Sequence, residues 1–379
     1  MKKIGIVTTP RELNYGAVLQ AYALQRKICG YGYDARLIWW SNQKELRRDV
    51  RLLKVLGMLR KIIRYPSLLR KTLNTYGHTF SKEFSAESVL KFNEFEKKYL
   101  NIDYKNYHQI FRFAHSRECK VVVAGSDQIW NSYAIYVDPF YYLRFAPKSK
   151  RIAYAPSLGK NDIPKYNKKC MKKYIQDFSK VSVREKQGQS ILADLIGTEV
   201  PVVLDPSFLL DLSEWEKIET YIETVPKYIL MYFLDCPNDM SIRFLKDIIK
   251  KYELPIIALP YKFEIYKDFS NLKFIDAGPR EFLYLIHHAE LILTDSFHGT
   301  AFSINYEKNF WVFDRQHGQN QTQVSRIIDL LNKFKLSNRF VTQNEDINVE
   351  NNEIDYTQVE KILDKERLFS INYINEFLA

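Results

Sequence analysis

Cysteine is scarce in this chain. Cys29, Cys119, Cys170 and Cys236 are the only four in 379 residues, and none forms a CxxC pair. That spacing argues against a disulfide framework or a thiolate zinc site. Long apolar runs are missing as well. No window holds the roughly 18 apolar residues that a membrane-spanning helix needs. Behind Met1-Lys2-Lys3, the first apolar run, Ile4–Val7, is too brief for the core of a secretory signal. A cytoplasmic protein with reduced thiols is therefore expected. Acid is in deficit, with 45 Asp and Glu against 56 Lys and Arg, a net charge of +11. Such a chain is drawn to anions, whether phosphates, anionic lipid or nucleic acid. There are no repeats, no low-complexity tracts and no GxGxxG fingerprint.

What is present is an alternation. Apolar residues make up 46% of the chain and charged ones 27%, which is ordinary globular usage. The length allows two domains. Candidate strands are Lys3–Thr8, Ala35–Trp40, Lys120–Gly125, Arg151–Pro156, Val181–Arg184 and Val202–Asp205. Further strands follow at Tyr228–Leu234, Pro255–Leu259, Lys273–Ile275, Leu291–Thr294 and Phe310–Phe313. Helical patterns lie between many of them, at Ala17–Cys29, Ser88–Tyr99, Lys186–Ile196, Met240–Lys251, Pro279–His288 and Gln323–Asn332. This predicts an α/β chain of two Rossmann-like domains with mostly parallel sheets. The first is expected at 1–190, with a basic and mostly helical insertion at 42–115. The second is expected at 191–345, and residues 346–379 should form a helix that packs back on the first.

Polar loops stand at strand ends, where open α/β sheets bind ligands. In LNYGAVLQAYALQ (Leu13–Gln25), Asn14 and Gly16 shape a turn before a helix that starts near Ala17. The first N–H groups of that helix could hold an anion; a tight turn with Asn14 in a left-handed conformation is the plainer reading. In VVVAGSDQIWN (Val121–Asn131), Gly125 lets the chain turn and sets Ser126, Asp127 and Gln128 at the sheet's end. Asp127 suits a sugar hydroxyl or a base; Ser126 or Asp127 could equally cap the next helix. Trp130 fits either a sugar platform or the core. Arg184, after a strand in VSVREKQGQSIL, can grip a carboxylate or phosphate with its planar fork, or pair with Glu185.

In TDSFHGTAFS (Thr294–Ser303), Asp295 and Ser296 can cap a helix, and Gly299 permits a ligand to approach the backbone. His298 reads as a loop residue that can exchange a proton near neutral pH, or as a solvent-facing side chain. His287 and His288 have no metal-ligand spacing and read as structural.

In this order and at these spacings, the segments resemble the polysaccharide pyruvyl transferase family. The matching stretches are IGIVT and LNYGAVLQAYALQ within Ile4–Gln25, VVAGSDQIWN, VSVREKQGQSIL, VVLDPSFLL (Val202–Leu210), TDSFHGTAFS and SRIIDLL (Ser325–Leu331). The resemblance implies a GT-B-like pair of domains, acceptor side first and donor side second. It implies transfer of pyruvate from phosphoenolpyruvate onto a sugar as a ketal, in capsular or exopolysaccharide biosynthesis, on a lipid-linked glycan. It places phosphoenolpyruvate contacts at His298 and Arg184, with Arg326 as a further cation. Several members carry Arg-Leu before that His, where this chain has Ser296-Phe297.

Such chemistry needs cations to hold the donor and an acid to protonate its methylene carbon. Arg184, Arg326 and the helix starts at Gly16 and Gly299 fit the first role, His298 the second, and Asp127 that of base. The scheme requires no metal and no cofactor beyond the donor itself. Two other readings stay open: a GT-B glycosyltransferase using a nucleotide sugar, and a non-catalytic polysaccharide-assembly protein.

The charge excess is concentrated in Lys44–Lys71, where the only acids are Glu45 and Asp49. Leu52, Val55, Leu56, Leu59, Ile62 and Ile63 recur there at helical spacing. One expectation is a helix packed by that stripe on the first domain. The other is a helix lying on an anionic membrane surface. The bases alternate with Leu and Ile rather than with exposed aromatics, so nucleic acid is not expected.

Overall fold

The computed structural model describes residues 1–9, 13–40, 50–68, 84–315, 324–341 and 353–379. The first part of the chain supplies β1 (Lys3–Val7), α1 (Tyr15–Gly30), β2 (Asp34–Trp40), α2 (Val50–Arg64), α3 (Ala86–Tyr99), β3 (Ile102–Lys105), α4 (Tyr107–His115) and β4 (Cys119–Ala124). It continues with β5 (Arg151–Ala153), α5 (Lys165–Ile175), β6 (Lys180–Val181) and α6 (Lys186–Ile196). The later part supplies α7 (Leu212–Glu216), β7 (Ile229–Phe233), α8 (Asp239–Tyr252), β8 (Ile256–Pro260), β9 (Leu272–Phe274), α9 (Pro279–His288) and β10 (Leu291–Thr294). It ends with α10 (Phe297–Asn305), β11 (Phe310–Phe313), α11 (Val324–Lys333), β12 (Phe340–Val341) and α12 (Tyr356–Leu378).

The strands form two six-stranded sheets, ordered β3-β2-β1-β4-β5-β6 and β12-β11-β10-β7-β8-β9. All the strand pairs are parallel. Counted from its own first strand, each sheet has the doubly wound order. The winding reverses between β1 and β4 in one sheet and between β7 and β10 in the other. Ligands bind at the carboxyl ends of strands at such switch points. Helices cover both faces, which is why the central strands IGIV, LILT and FWVF are fully buried and apolar but for Thr294, whose hydroxyl donates to the Tyr232 carbonyl.

Several expectations change. Val202–Asp205 is no strand; only Val202 pairs, in a single bridge with Val183. Pro201 and Pro206 flank the run, and a proline offers no N–H to extend a ladder. Among the described residues of 42–115 the chain is mostly helical, yet Ile102–Lys105 adds the edge strand β3 beside β2. Helix α5 was not expected. Its lysines hide a buried stripe of Asn167, Met171 and Ile175 at every fourth position. Asn14 is extended (φ −145°), not left-handed, and its side chain caps α1 at the N–H of Ala17, 3.1 Å away.

The two halves share a core. Tyr15, in the first turn of α1, stacks on Phe282 of α9 at 4.5 Å and donates its hydroxyl to the carbonyl of Ala277 at 2.9 Å. Helix α12 touches both: Tyr373 donates to the Ala153 carbonyl at 3.0 Å, and Arg367 to that of Phe208 at 2.7 Å. Together these contacts set the carboxyl ends of β1, β4 and β10 against one another.

Candidate functional site

The site grows from α10. Ser296 caps it, its Oγ accepting from the N–H of Gly299 at 3.3 Å. The helix therefore starts at Phe297, and His298 lies in its first turn rather than in a loop. Asp295 does not cap. Its carboxylate accepts from the N–H groups of Leu234 and Asp235, at 2.7 and 2.9 Å, and so ties the ends of β7 and β10 together. Gly299 is not open to a ligand. A Cβ there would lie 2.4 Å from Thr294 Oγ1 and 2.9 Å from the Tyr232 ring, so the glycine serves close packing inside the protein.

His298 crosses to the first half. It is only 7% exposed. A Cβ on Gly16 would fall 2.1 Å from its Cγ and Nδ1, so the bare backbone at the start of α1 lies flat against the imidazole. The other ring nitrogen, Nε2, faces Asp205 Oδ2 at 3.7 Å.

Asp205 is the hub of the site, and it was not among the expected site residues. Its Oδ2 accepts from Arg184 Nη1 at 2.7 Å and Ser126 Oγ at 3.4 Å, and its Oδ1 from the Ser207 N–H at 3.0 Å. Burial alone would raise its pKa, but His298, Arg184 and the Ser207 N–H outweigh burial and hold the carboxyl well below the usual range. The signal was an acid closing an apolar run, directly ahead of a proline. Read as the end of a strand, it carried no chemistry.

Arg184 is buried and held on several sides. It bonds Asp205, donates from Nε to Glu185 at 2.8 Å, lies 3.5 Å from Asp127, and stacks on the Phe297 ring at 4.1 Å. Burial would lower its pKa, but Glu185, Asp205 and Asp127 raise it above the ordinary arginine value, so it is a permanent cation. Its Nη2 makes no hydrogen bond among the described residues. Arg184 thus pairs with Glu185, and one of its donors is left without a hydrogen bond among these residues. Phe297 is its aromatic floor.

The Gly125–Gln128 loop supplies the opposite wall. Asp127 has φ +66°, a region L residues seldom adopt. Its carbonyl accepts from the N–H groups of Ile129 and Ser157, both at 2.8 Å, which holds the turn. Its side chain caps nothing and faces Arg184. Ser126 is fully buried and its hydroxyl proton is shared between the Ala155 carbonyl at 2.7 Å and the more distant Asp205 carboxylate at 3.4 Å, so it lines no open space. With its amide oxygen turned toward Arg326, Gln128 accepts from Nη1 and Nη2 of that residue at 2.8 Å each. Burial, and then Arg184, pull the Arg326 pKa down to about 10, which leaves it charged at neutral pH. Trp130 is core, stacked on Tyr142 at 5.3 Å. Asn14 reaches the site only by capping α1, which carries Gly16.

Two doubly wound domains meeting at their switch points, with cations and an imidazole buried where they meet, define a GT-B-like two-domain protein. A Listeria monocytogenes protein assigned as a UDP-N-acetylglucosamine 2-epimerase has this fold, with a TM-score of 0.52 at 10% identity over 99% of this chain and 95% of that one. Also similar are the UDP-GlcNAc 2-epimerase from Neisseria meningitidis (TM-score 0.47, 10% identity, 100% and 99% covered) and MurG from Acinetobacter baumannii (0.46, 10%, 99% and 98%). Among curated proteins there is no significant match. The model of the polysaccharide pyruvyl transferase family matches residues 14–317, and the chain belongs to that family. Asp127, Arg184, Asp205 and His298 all lie within the matched span. Arg326 lies beyond it, on α11.

Proposed function

We propose that the chain transfers pyruvate from phosphoenolpyruvate to two hydroxyls of a sugar, forming a ketal and releasing phosphate. The carrying observation is Arg184 Nη2, a buried cationic donor without a hydrogen bond among the described residues, aimed within a site that also holds Arg326 and His298. A buried donor of this kind is costly unless an acceptor arrives. The phosphoenolpyruvate carboxylate is that acceptor, and Arg326 balances the phosphate.

His298 then protonates the methylene carbon, and C2 becomes electrophilic. Asp205, 3.7 Å from Nε2, stabilises the imidazolium electrostatically before the proton leaves. One sugar hydroxyl attacks C2 and gives its proton to Asp127. A second hydroxyl forms the other C–O bond as the C2–O bond to phosphate breaks; its proton returns to His298, which restores the acid, and the proton held by Asp127 passes to the released phosphate. Placing charge in a preorganised, largely buried site makes each interaction stronger than it would be in water. The scheme uses no metal and no further cofactor. The acceptor is a sugar of a capsular or exopolysaccharide repeat, borne on a lipid carrier.

The test is incubation of the purified protein with phosphoenolpyruvate and lipid-linked glycans, read by phosphate release and by the mass of one added pyruvyl ketal. Thermal shift provides a second readout, since a bound donor raises the melting temperature. Stabilisation by nucleotide sugars and not by phosphoenolpyruvate would make the chain a glycosyltransferase instead.

A further inference from the structure

Helix α2 is docked with its amphipathic character reversed. Lys54, Gly57, Lys61 and Tyr65 follow one another at helical spacing, and they make the contacts with the first domain. Lys54 pairs with Asp138 at 2.7 Å, and Lys61 donates to the buried Asn167 at 2.5 Å. A Cβ at Gly57 would touch the Tyr136 ring at 3.3 Å, and Tyr65 meets Tyr166 of α5. The apolar side is turned outward: Val55 is 46% exposed, Leu56 50%, Leu59 48% and Ile63 78%. The expectation of a helix packed by its apolar stripe, with a solvated basic face, is therefore overturned. Arg47 and Arg48 lie outside the described residues.

An apolar stripe in water is unfavourable unless something covers it. The charge around the stripe says what. Arg60 and Arg64 are exposed along one edge of it. The neighbouring helix α5 shows Lys165, Lys168, Lys169, Lys172 and Lys173 to solvent, while its apolar stripe faces the core. Neither helix carries an acid to offset these charges. A protein partner would have to supply a matching acidic surface with an apolar centre. An anionic bilayer offers both at once, headgroups for the cations and acyl chains for the stripe.

We infer that the exposed face of α2, with the lysines of α5, docks the protein on an anionic lipid surface. None of these residues belongs to the candidate site, and the inference does not depend on the identity of the donor. Apolar insertion and cation contact act together, so neither alone should hold the protein.

The test is co-sedimentation of the full-length protein with vesicles of phosphatidylcholine alone or mixed with phosphatidylglycerol. Wild type should bind the anionic vesicles at least about tenfold better than the neutral ones at low salt, and added salt should weaken binding by shortening the reach of the charges. Leu56→Gln with Leu59→Gln and Ile63→Gln should reduce binding about tenfold or more, and so should Lys168→Gln with Lys169→Gln and Lys172→Gln. All six positions are exposed, and unchanged melting temperatures would show that both variants fold. Failure of wild type to bind anionic vesicles would overturn the inference, as would undiminished binding by either variant. Concentration-dependent self-association of wild type without vesicle binding, lost in the apolar variant, would assign the surface to a second copy of the chain.

Discussion

Gly16→Ala adds one methyl group where α1 lies against His298. An ideal Cβ there would stand 2.1 Å from Cγ and Nδ1 of the imidazole and 2.6 Å from its Cβ. Carbon contacts settle at about 3.5 Å, so the ring or the helix must move by more than about 1 Å. Neither is free to do so. His298 sits in the first turn of a capped helix, with Asp205 beyond it. Helix α1 is pinned by Tyr15 stacked on Phe282. Overpacking of this kind costs about 1–3 kcal/mol. In an open helical position the same change would stabilise by up to about 1 kcal/mol, so the sign is informative. A displacement of about 1 Å in a reacting group also costs about 10²-fold in rate. The measurements are the free energy of urea unfolding and kcat for pyruvyl transfer. In a His298→Gly background the ring and its Cβ are both gone, so the cost of Gly16→Ala should there shrink. That difference is the coupling energy of the pair. An equal cost in both backgrounds, or no cost in either, would refute the packing argument.

The remaining predictions concern the charged groups. His298→Ala should lower transfer by at least about 10²-fold, the least that a general acid contributes; more than about a tenth of the wild-type rate would remove His298 from that role. Arg184→Lys keeps the charge but loses the fork, so KM for phosphoenolpyruvate should rise with a smaller effect on the acceptor; an unchanged donor KM would make Arg184 a purely structural ion pair. Asp205→Asn should destabilise the protein at neutral pH by about 3–5 kcal/mol, because Arg184 stays buried with one carboxylate fewer. The Asp205 carboxyl is held below its unfolded value, so its contribution is complete above about pH 4 and is lost as the pH falls through the depressed folded value. The stability gap between wild type and Asp205→Asn should therefore narrow in acid, and a gap that stays constant on acidification would place the effect in packing rather than charge.

Much of this was legible in one dimension. Strand–helix alternation determined the α/β class and the two sheets, because a strand covered by helices on both faces must be apolar almost throughout, and such runs stand out. Leu291–Thr294, Phe310–Phe313, Lys186–Ile196 and Pro279–His288 fall where the pattern put them. The four loops that meet at the site were legible as well, since chemistry at a strand's end interrupts its apolar run.

Tertiary structure decided which of those residues meet. Asp205 closes a run that pairs only at Val202, and it becomes a hub because His298, Arg184 and Ser126 converge on it from separate segments of the chain. No local pattern records that convergence. Gly16 gave the signal of a turn glycine, yet its partner is an imidazole 282 positions away, brought there by the packing of the two halves. Helix α2 makes the same point at the surface. Its periodicity determined that it is amphipathic, but which side faces the protein was set by Asp138 and Asn167, whose side chains draw Lys54 and Lys61 inward and leave the apolar stripe outside. Periodicity specifies the faces of an element; only the partner that each face meets in the fold decides which is buried.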